Sequence, residues 1–426
     1  MDLERLPFML YADDEGKIYE HPYLRMAAFS GDKPVELDES DLISMPEFSK
    51  LFFLPKCPPI GVDPESGELV RIEEEDVSGK KVRCNAVSAF LEPGFVRTHL
   101  PAADYGEKDY DLPMWAYTAV GFRDDSYRVA GFQIEYNHTW DPANYDDREL
   151  ITAIDRFRDE YGAGPLTKHL INCATVNHCF AAKNLFLRRW EAPLPVSQSC
   201  NAGCLGCLSL QPEGSFEASH ARLAFRPGRE ELVSIALNHL KNAPNPIVSF
   251  GQGCEGEPLT EHALIVESIS DMRKGTDKGT INLNTNGSLP GMVKKIISSG
   301  LDSIRISLNS PRKSLYDAYY RPKGYGFDDV VESVRLSRDM GIYTMINYLV
   351  FPGISDQEKE LEALLALVEK TGVNFIHLKN LNIDPAFYLE SMPCSEQPGM
   401  GMKKMISILK DACPDLELGY FNQPVR

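Results

Sequence analysis

From Arg188 onward the apolar positions alternate between short strand-like runs and helical stripes. Residues 194–198 read as a strand. Residues 229–240 carry Leu232, Ile235, Ala236 and Leu240 on one helical face. The same alternation predicts strands over 247–251, 280–285, 302–308, 343–351 and 375–381. Helices are predicted between them over 260–274, 289–299, 327–340 and 356–370. Strands separated by helices imply a parallel sheet, because each crossover returns the chain to the same end. Parallel strands covered on both faces read as near-continuous apolar runs. Residues 346–351 and 375–378 partly do.

The fold class expected is α/β, with a partial (β/α)6 TIM-like barrel over 189–385 and its chemistry at the C-terminal ends of the strands. Residues 386–426 hold a Met-rich helical stretch at 400–409 and a strand-like 416–421, expected to form a short C-terminal cap. Residues 1–188 have a different rhythm. Runs at 117–122 and 127–136 flank Asp124-Asp125-Ser126 as a hairpin would. Pro58-Pro59 and Asp63-Pro64-Glu65-Ser66-Gly67 mark turns. Leu150, Ile154 and Phe157 recur at helical spacing in 146–161. This half is expected to be a mixed α/β domain, with Trp115, Tyr117, Phe122, Tyr136, His138, Trp140 and Tyr145 either in its core or lining a substrate surface.

Composition narrows the function classes. The 426 residues carry 62 acidic against 44 basic side chains, a net charge of −18. That field repels nucleic acid unless a local basic patch overrides it. No run of about 18 apolar residues suggests a membrane span. Residues 1–11 lack the basic start of a secretory signal. Ten cysteines without an export signal suit a reducing, cytoplasmic compartment, where clustered thiols serve metals more often than disulfides.

Three of those cysteines, Cys200, Cys204 and Cys207, stand in Cys-Asn-Ala-Gly-Cys-Leu-Gly-Cys, directly after the first strand. Thiolates are soft ligands that suit iron–sulfur clusters. Gly203 and Gly206 let the backbone wrap closely. Zinc prefers four protein ligands, and no fourth Cys or His follows at finger-like spacing. Three unrelated buried cysteines are the remaining reading of the spacing.

The segment resembles the radical S-adenosylmethionine (radical SAM) superfamily over roughly 193–381. Cys254-Glu255-Gly256-Glu257-Pro258-Leu259 resembles its Gly-Gly-Glu-Pro motif, and Asn284-Thr285-Asn286-Gly287 its Thr-Asn-Gly segment. Ile306-Ser307-Leu308-Asn309 and 348–353, followed by Ser355-Asp356, end the fourth and fifth strands in register. The resemblance implies that Cys200, Cys204 and Cys207 bind three irons of a [4Fe–4S] cluster, leaving one iron open to S-adenosylmethionine. Gly256 and Glu257 would hold the cofactor's ammonium end. Asn284, Ser307, Asn309 and Asn347 would hold its ribose and carboxylate. As single residues, each of these also has an ordinary role as a helix-terminal acid, strand-end cap or turn former.

The resemblance further implies a one-electron donor such as a flavodoxin or ferredoxin. It also implies a 5′-deoxyadenosyl radical that abstracts hydrogen from a peptide, protein or small metabolite. An RNA substrate, or a non-catalytic zinc or iron–sulfur redox sensor, are the alternatives. Two positions depart from the family. Gly206 stands where an aromatic residue often contacts adenine, and Glu255 replaces the first glycine. A second metal site from Cys57, Cys84, Cys173 and Cys179 is conceivable. His377 and Lys379 share a strand face and are either substrate contacts or solvated.

Overall fold

The computed structural model describes residues 3–106, 110–145, 147–213, 216–393 and 397–426. Cys394 lies outside the described residues. The sheet in the second half has seven parallel strands in sequence order: Glu191–Pro193, Ile247–Phe250, Thr280–Thr285, Ser303–Leu308, Tyr343–Val350, Phe375–Asn380 and Glu417–Gly419. The expectation was six. The seventh comes from the tail, which lies parallel beside the sixth strand with Leu418 opposite Ile376. The first strand sits earlier than 194–198. Leu194 N–H still donates to Ser249 O at 2.8 Å, but Pro195 has no N–H and ends the ladder.

The helices α4 (Arg229–Asn242), α5 (His262–Gly275), α6 (Pro290–Ser298), α8 (Phe327–Asp339) and α9 (Glu358–Thr371) match the predicted ones. The short α7 (Lys313–Tyr320) and α10 (Pro385–Ser391) were not anticipated, and α11 (Met402–Ala412) is the Met-rich helix. One face of the strands is almost wholly apolar, while the other mixes polar residues with Ile247, Met345, Leu349 and Phe375. Val248, Phe250, Ile281, Leu283, Ile304, Ile306, Ile346 and Ile376 join Leu232, Ile265, Ile296, Val330 and Leu364 of the helices in one buried cluster. The opposite face carries Glu191, Ser249, Asn282, Asn284, Ser303, Arg305, Ser307, Asn347, His377 and Lys379.

Buried polar groups need partners, and these form a ladder across the strands. Ser249 Oγ donates to Glu191 Oε1. Asn282 Nδ2 donates to Ser249 Oγ at 3.1 Å and to Asn284 Oδ1 at 2.9 Å. Asn422 Nδ2, beyond the seventh strand, reaches Glu191 of the first at 3.0 Å, so the two edges of the sheet meet through one carboxylate.

Residues 8–133 are antiparallel β, and the helical part of the half expected as mixed α/β, including the helix expected over 146–161, follows them. Ten strands form the main sheet, in which Phe8–Ala12 pairs with Ile18–Met26, Asn85–Phe90 and Val120–Arg123. The hairpin Val120–Arg123 to Ser126–Gln133 turns on Asp124 and Asp125, both at positive φ (54° and 53°), as the right-handed twist of a two-residue hairpin requires. Helices begin only with α1 (Asp147–Tyr161), α2 (Pro165–Thr175) and α3 (Phe180–Leu187). Leu150, Ile154, Leu170 and Leu185 of these helices pack into the parallel sheet's cluster. The aromatic set divides. Tyr117 is buried, whereas Trp115 and Tyr136 are exposed and Trp140 stacks on Phe421.

His239 of α4 contacts Trp190 O through Nε2 at 2.7 Å, just before the first strand. Burial holds its imidazole down at about 4. A base depressed in the folded state gives stability above its unfolded value near 6.5, lost as pH falls toward 4. Denaturant titrations at pH 7.5 and 4.5 should show His239→Gln losing less stability than the wild type. The difference should be about 3 kcal/mol, and identical losses in the two proteins would contradict it.

Candidate functional site

The segment carrying the three cysteines has almost no regular structure, so its amides must bond elsewhere. One side hangs on the end of α7. Gly203 N–H donates to Tyr320 O (2.9 Å) and Leu205 N–H to Tyr319 O (3.0 Å), while Lys323 N–H returns to Asn201 O (2.8 Å). The other side is held by the loop after the second strand, where Gly256 and Glu257 N–H donate to Ser197 and Ser199 O at 2.8 Å each. A Cβ on Gly256 would lie 2.0 Å from Ser199 O, so glycine is required by the approach of the two backbones. Gln211 Nε2 closes the turn on Cys207 O at 2.8 Å. Arg222 places Nη2 3.4 Å from Cys207 Sγ and Nε 3.0 Å from Ser209 Oγ.

Cys200, Cys204 and Cys207 are free thiols that line a cavity of about 560 Å³, with Arg222, Arg321 and Lys323 among its walls. Burial pushes the Cys200 and Cys204 thiols up, aided by Glu257 and Cys207 at Cys200 and by Cys207 and Cys200 at Cys204. A bound metal is what draws such protons off. A single zinc with bonds near 2.3 Å would need sulfurs about 3.8 Å apart. The three sulfurs are not all within 4.8 Å of one another among the described residues, unlike the group His169, Cys173 and Cys254. The spread and softness of this donor set fit a cluster rather than one ion.

Cys204 and Cys207 also border a second cavity of about 410 Å³ over the strand ends, lined by Arg305, Ser307, Tyr319, Tyr320, Asn347, Lys379 and Tyr420. Asn347 Oδ1 is buried without a hydrogen-bond partner among the described residues, as a group awaiting a ligand would be. Ser307 sits beside it in register. Two of the six residues expected to hold S-adenosylmethionine thus line this cavity. Asn284 lies a strand away, accepting from Asn282. Asn309 does not line this cavity; it is buried and donates to Leu315 O at 3.1 Å, which secures the approach to α7.

Glu257 is buried beneath the cysteine loop. Its carboxylate accepts from Leu259 N–H (3.1 Å), Asn286 N–H (2.8 Å) and Thr285 Oγ1. It therefore ties the Gly-Glu-Pro loop to the Thr-Asn-Gly loop, and burial raises it to about 7.

Sequence reasoning missed several groups. Glu255, noted only as a departure, accepts from Val196, Ser197, Gly251 and Gln252 N–H at 2.7–2.9 Å. It clasps the first two strand ends. Four amides pull its carboxyl down, yet burial still raises it to about 7. At Gly206, a Cβ would meet Tyr319 Oη at 2.7 Å, so the tyrosine from α7 fills the space of the missing aromatic residue. Arg222 and Arg305 gave no motif signal. Cys57 and Cys84 sit in two separate clusters of the N-terminal sheet, and the structure does not bring them to Cys173.

Residues 194–365 match the family model described as Radical SAM superfamily. That matched segment, 172 of the chain's 426 residues, is what this protein shares with the radical SAM superfamily. Enzymes of this superfamily use a [4Fe–4S] cluster and S-adenosylmethionine, to which the three-cysteine loop corresponds. A GTP 3′,8-cyclase of Microcystis aeruginosa is 26% identical over 201 residues, covering 46% of this chain and 59% of that protein. The chain thus spans under two thirds of that relative's length. Among solved structures, an FeFe-hydrogenase maturase of Carboxydothermus hydrogenoformans is 16% identical, covers 64% of this chain and 71% of its own, and has a TM-score of 0.38. A radical SAM methyltransferase of Sphaerobacter thermophilus is 14% identical over 54% of this chain and 65% of its own, with a TM-score of 0.38. No helix of the described residues is long and apolar enough to cross a membrane.

The close backbone approach at Gly256 yields a test. Gly256→Ala should lower the iron content of anaerobically purified protein and cost about 1–3 kcal/mol of stability. Gly253→Ala is the control, because its Cβ would meet nothing nearer than 3.4 Å. Equal iron in the two variants would show that this contact does not shape the loop.

Proposed function

We propose that this protein is a radical SAM enzyme that abstracts hydrogen from a substrate bearing a carboxylate or phosphate. In this reading the parallel sheet is the wall of a partial barrel, and the 410 Å³ cavity over its strand ends holds cofactor and substrate together. When bound, the reduced [4Fe–4S] cluster and S-adenosylmethionine supply a hydrogen-abstracting 5′-deoxyadenosyl group. Cys200, Cys204 and Cys207 would hold the cluster, while Gly256 and Ser199 fix the loop. Ser307 and Asn347 would take polar groups of S-adenosylmethionine, Asn347 through its unpartnered oxygen. An external one-electron donor such as a flavodoxin or ferredoxin would provide the electron.

The observation that carries the substrate class is the pair Arg305 and Lys379. Both line the cavity that Cys204 and Cys207 border. Among the described residues neither makes a hydrogen bond or an ion pair, although the Lys379 ammonium sits 3.2 Å over the Tyr420 ring. Burial, and then Arg305, hold Lys379 well below its usual value. Burial also lowers Arg305, with Glu191 the acid that opposes the shift. Two cations forced together in a partly dry cavity favour any anion that enters between them. An anchored anion would fix the orientation of the reacting carbon and exclude water from it.

Anaerobic protein reduced with dithionite and given S-adenosylmethionine should release 5′-deoxyadenosine. Cys204→Ala should release none. Small molecules from cell extract that are retained on an anion exchanger should stimulate release. Lys379→Met should keep its iron and its unstimulated rate while losing about 30-fold or more of the stimulation. Absence of iron or of 5′-deoxyadenosine would sink the enzyme reading. Stimulation found only in the unretained fraction would sink the anionic substrate alone.

A further inference from the structure

A second cluster of soft ligands lies away from the three-cysteine loop. His169 and Cys173 are four residues apart on α2, which sets them on one face. Cys173 Sγ is 3.6 Å from His169 Nε2. Cys254, which precedes Glu255 in the loop after the second strand, completes a group whose donor atoms all lie within 4.8 Å of one another. Cys173 and Cys254 are 1% and 4% exposed. Beside them stands His220, from the segment between the cysteine loop and α4. Its backbone N–H is tied to Leu208 O at 2.9 Å. Its Nδ1 is shielded from solvent and has no partner among the described residues. Its ring lies close enough to feel the charges of both Cys173 and His169.

We propose that His169, Cys173, Cys254 and His220 form a structural zinc site, distinct from the iron–sulfur cluster. Bonds of about 2.3 Å to sulfur and about 2.0 Å to nitrogen place tetrahedral ligands roughly 3.3–3.8 Å apart, the separation already present between Cys173 and His169. Two thiols lose their protons as the ion binds, so Zn²⁺ and two thiolates balance in charge and the imidazoles stay neutral. The unused Nδ1 of His220 gains its partner.

Such an ion would join three pieces that share no continuous secondary structure: α2, the 216–228 segment, and the loop carrying Glu255 and Glu257. The segment 216–228 also carries Arg222 to the Cys207 sulfur. Zinc would therefore hold both flanks of the three-cysteine loop without touching it. This proposal does not depend on the radical SAM chemistry.

The test is metal content, read separately from iron. Full-length protein purified without added metal should carry about one zinc per chain. That zinc should persist in a Cys200→Ala/Cys204→Ala/Cys207→Ala variant that has lost its iron. X-ray absorption of the wild-type zinc should show two sulfur and two nitrogen neighbours, which needs no variant. Cys173→Ala and Cys254→Ser should each lose the zinc, whereas Cys84→Ser, at another buried cysteine, should keep it. Co²⁺ added to zinc-stripped wild type should give thiolate charge-transfer absorption. Wild type without zinc and unable to take up Co²⁺, or a Cys173–Cys254 disulfide found by mass spectrometry, would overturn the site. A three-sulfur shell would overturn His220 as the fourth ligand.

Discussion

A loop built to grip a metal cluster cannot satisfy its own backbone. The cysteine-bearing segment leaves its amides and carbonyls to be met from outside, and two neighbours meet them. The end of α7 supplies Tyr319 and Tyr320 carbonyls on one side. The Gly256–Glu257 turn donates its amides on the other. Everything else at the site serves these two clamps. Glu255 fixes the turn to the first strand end, Glu257 fixes it to the third, and Asn309 anchors the chain that enters α7. Losing any one leaves buried donors or acceptors without partners, which costs more than the bond itself contributes.

The sheet supports this arrangement by dividing its two faces. The outer face is apolar and packs on helices, as parallel sheets do. The inner face is polar and satisfies itself through Glu191, Ser249, Asn282 and Asn284. Order at the base of the cavity is thus independent of any ligand. Above that ladder Arg305, Lys379 and Asn347 line the cavity without a side-chain hydrogen bond among the described residues.

The second half was legible because each strand is a short apolar run and each helix a regular stripe. The strand 280–285 agrees to the residue, and helices agree within a turn. The tail strand was legible as a strand but not as a member of the sheet, since nothing local says which neighbour Leu418 will find. The helix α7 escaped because Leu315-Tyr316-Asp317-Ala318-Tyr319-Tyr320 is short and aromatic, and its role lies in the carbonyls at its end. The three cysteines were visible as a spacing, whereas Arg222, Arg305 and His220 acquire meaning only from tertiary neighbours. In residues 8–133, strands of two to nine residues with frequent turns look like mixed structure until their long-range pairing is known.

The N-terminal sheet meets the strand ends through a small set of contacts. Arg97, wholly buried, donates Nη2 to Leu381 O at 2.8 Å, Asn380 Nδ2 donates to Phe95 O at 2.9 Å, and Leu112 N–H donates to Asp384 at 2.8 Å. These join residues some 270–285 positions apart, whereas neighbouring strands of the parallel sheet are also neighbours in sequence. Loop-closure entropy makes contacts of such separation the slowest to form. The cover over the cavities is thus held by contacts whose closure costs the chain more entropy than the local pairing of the parallel strands beneath it.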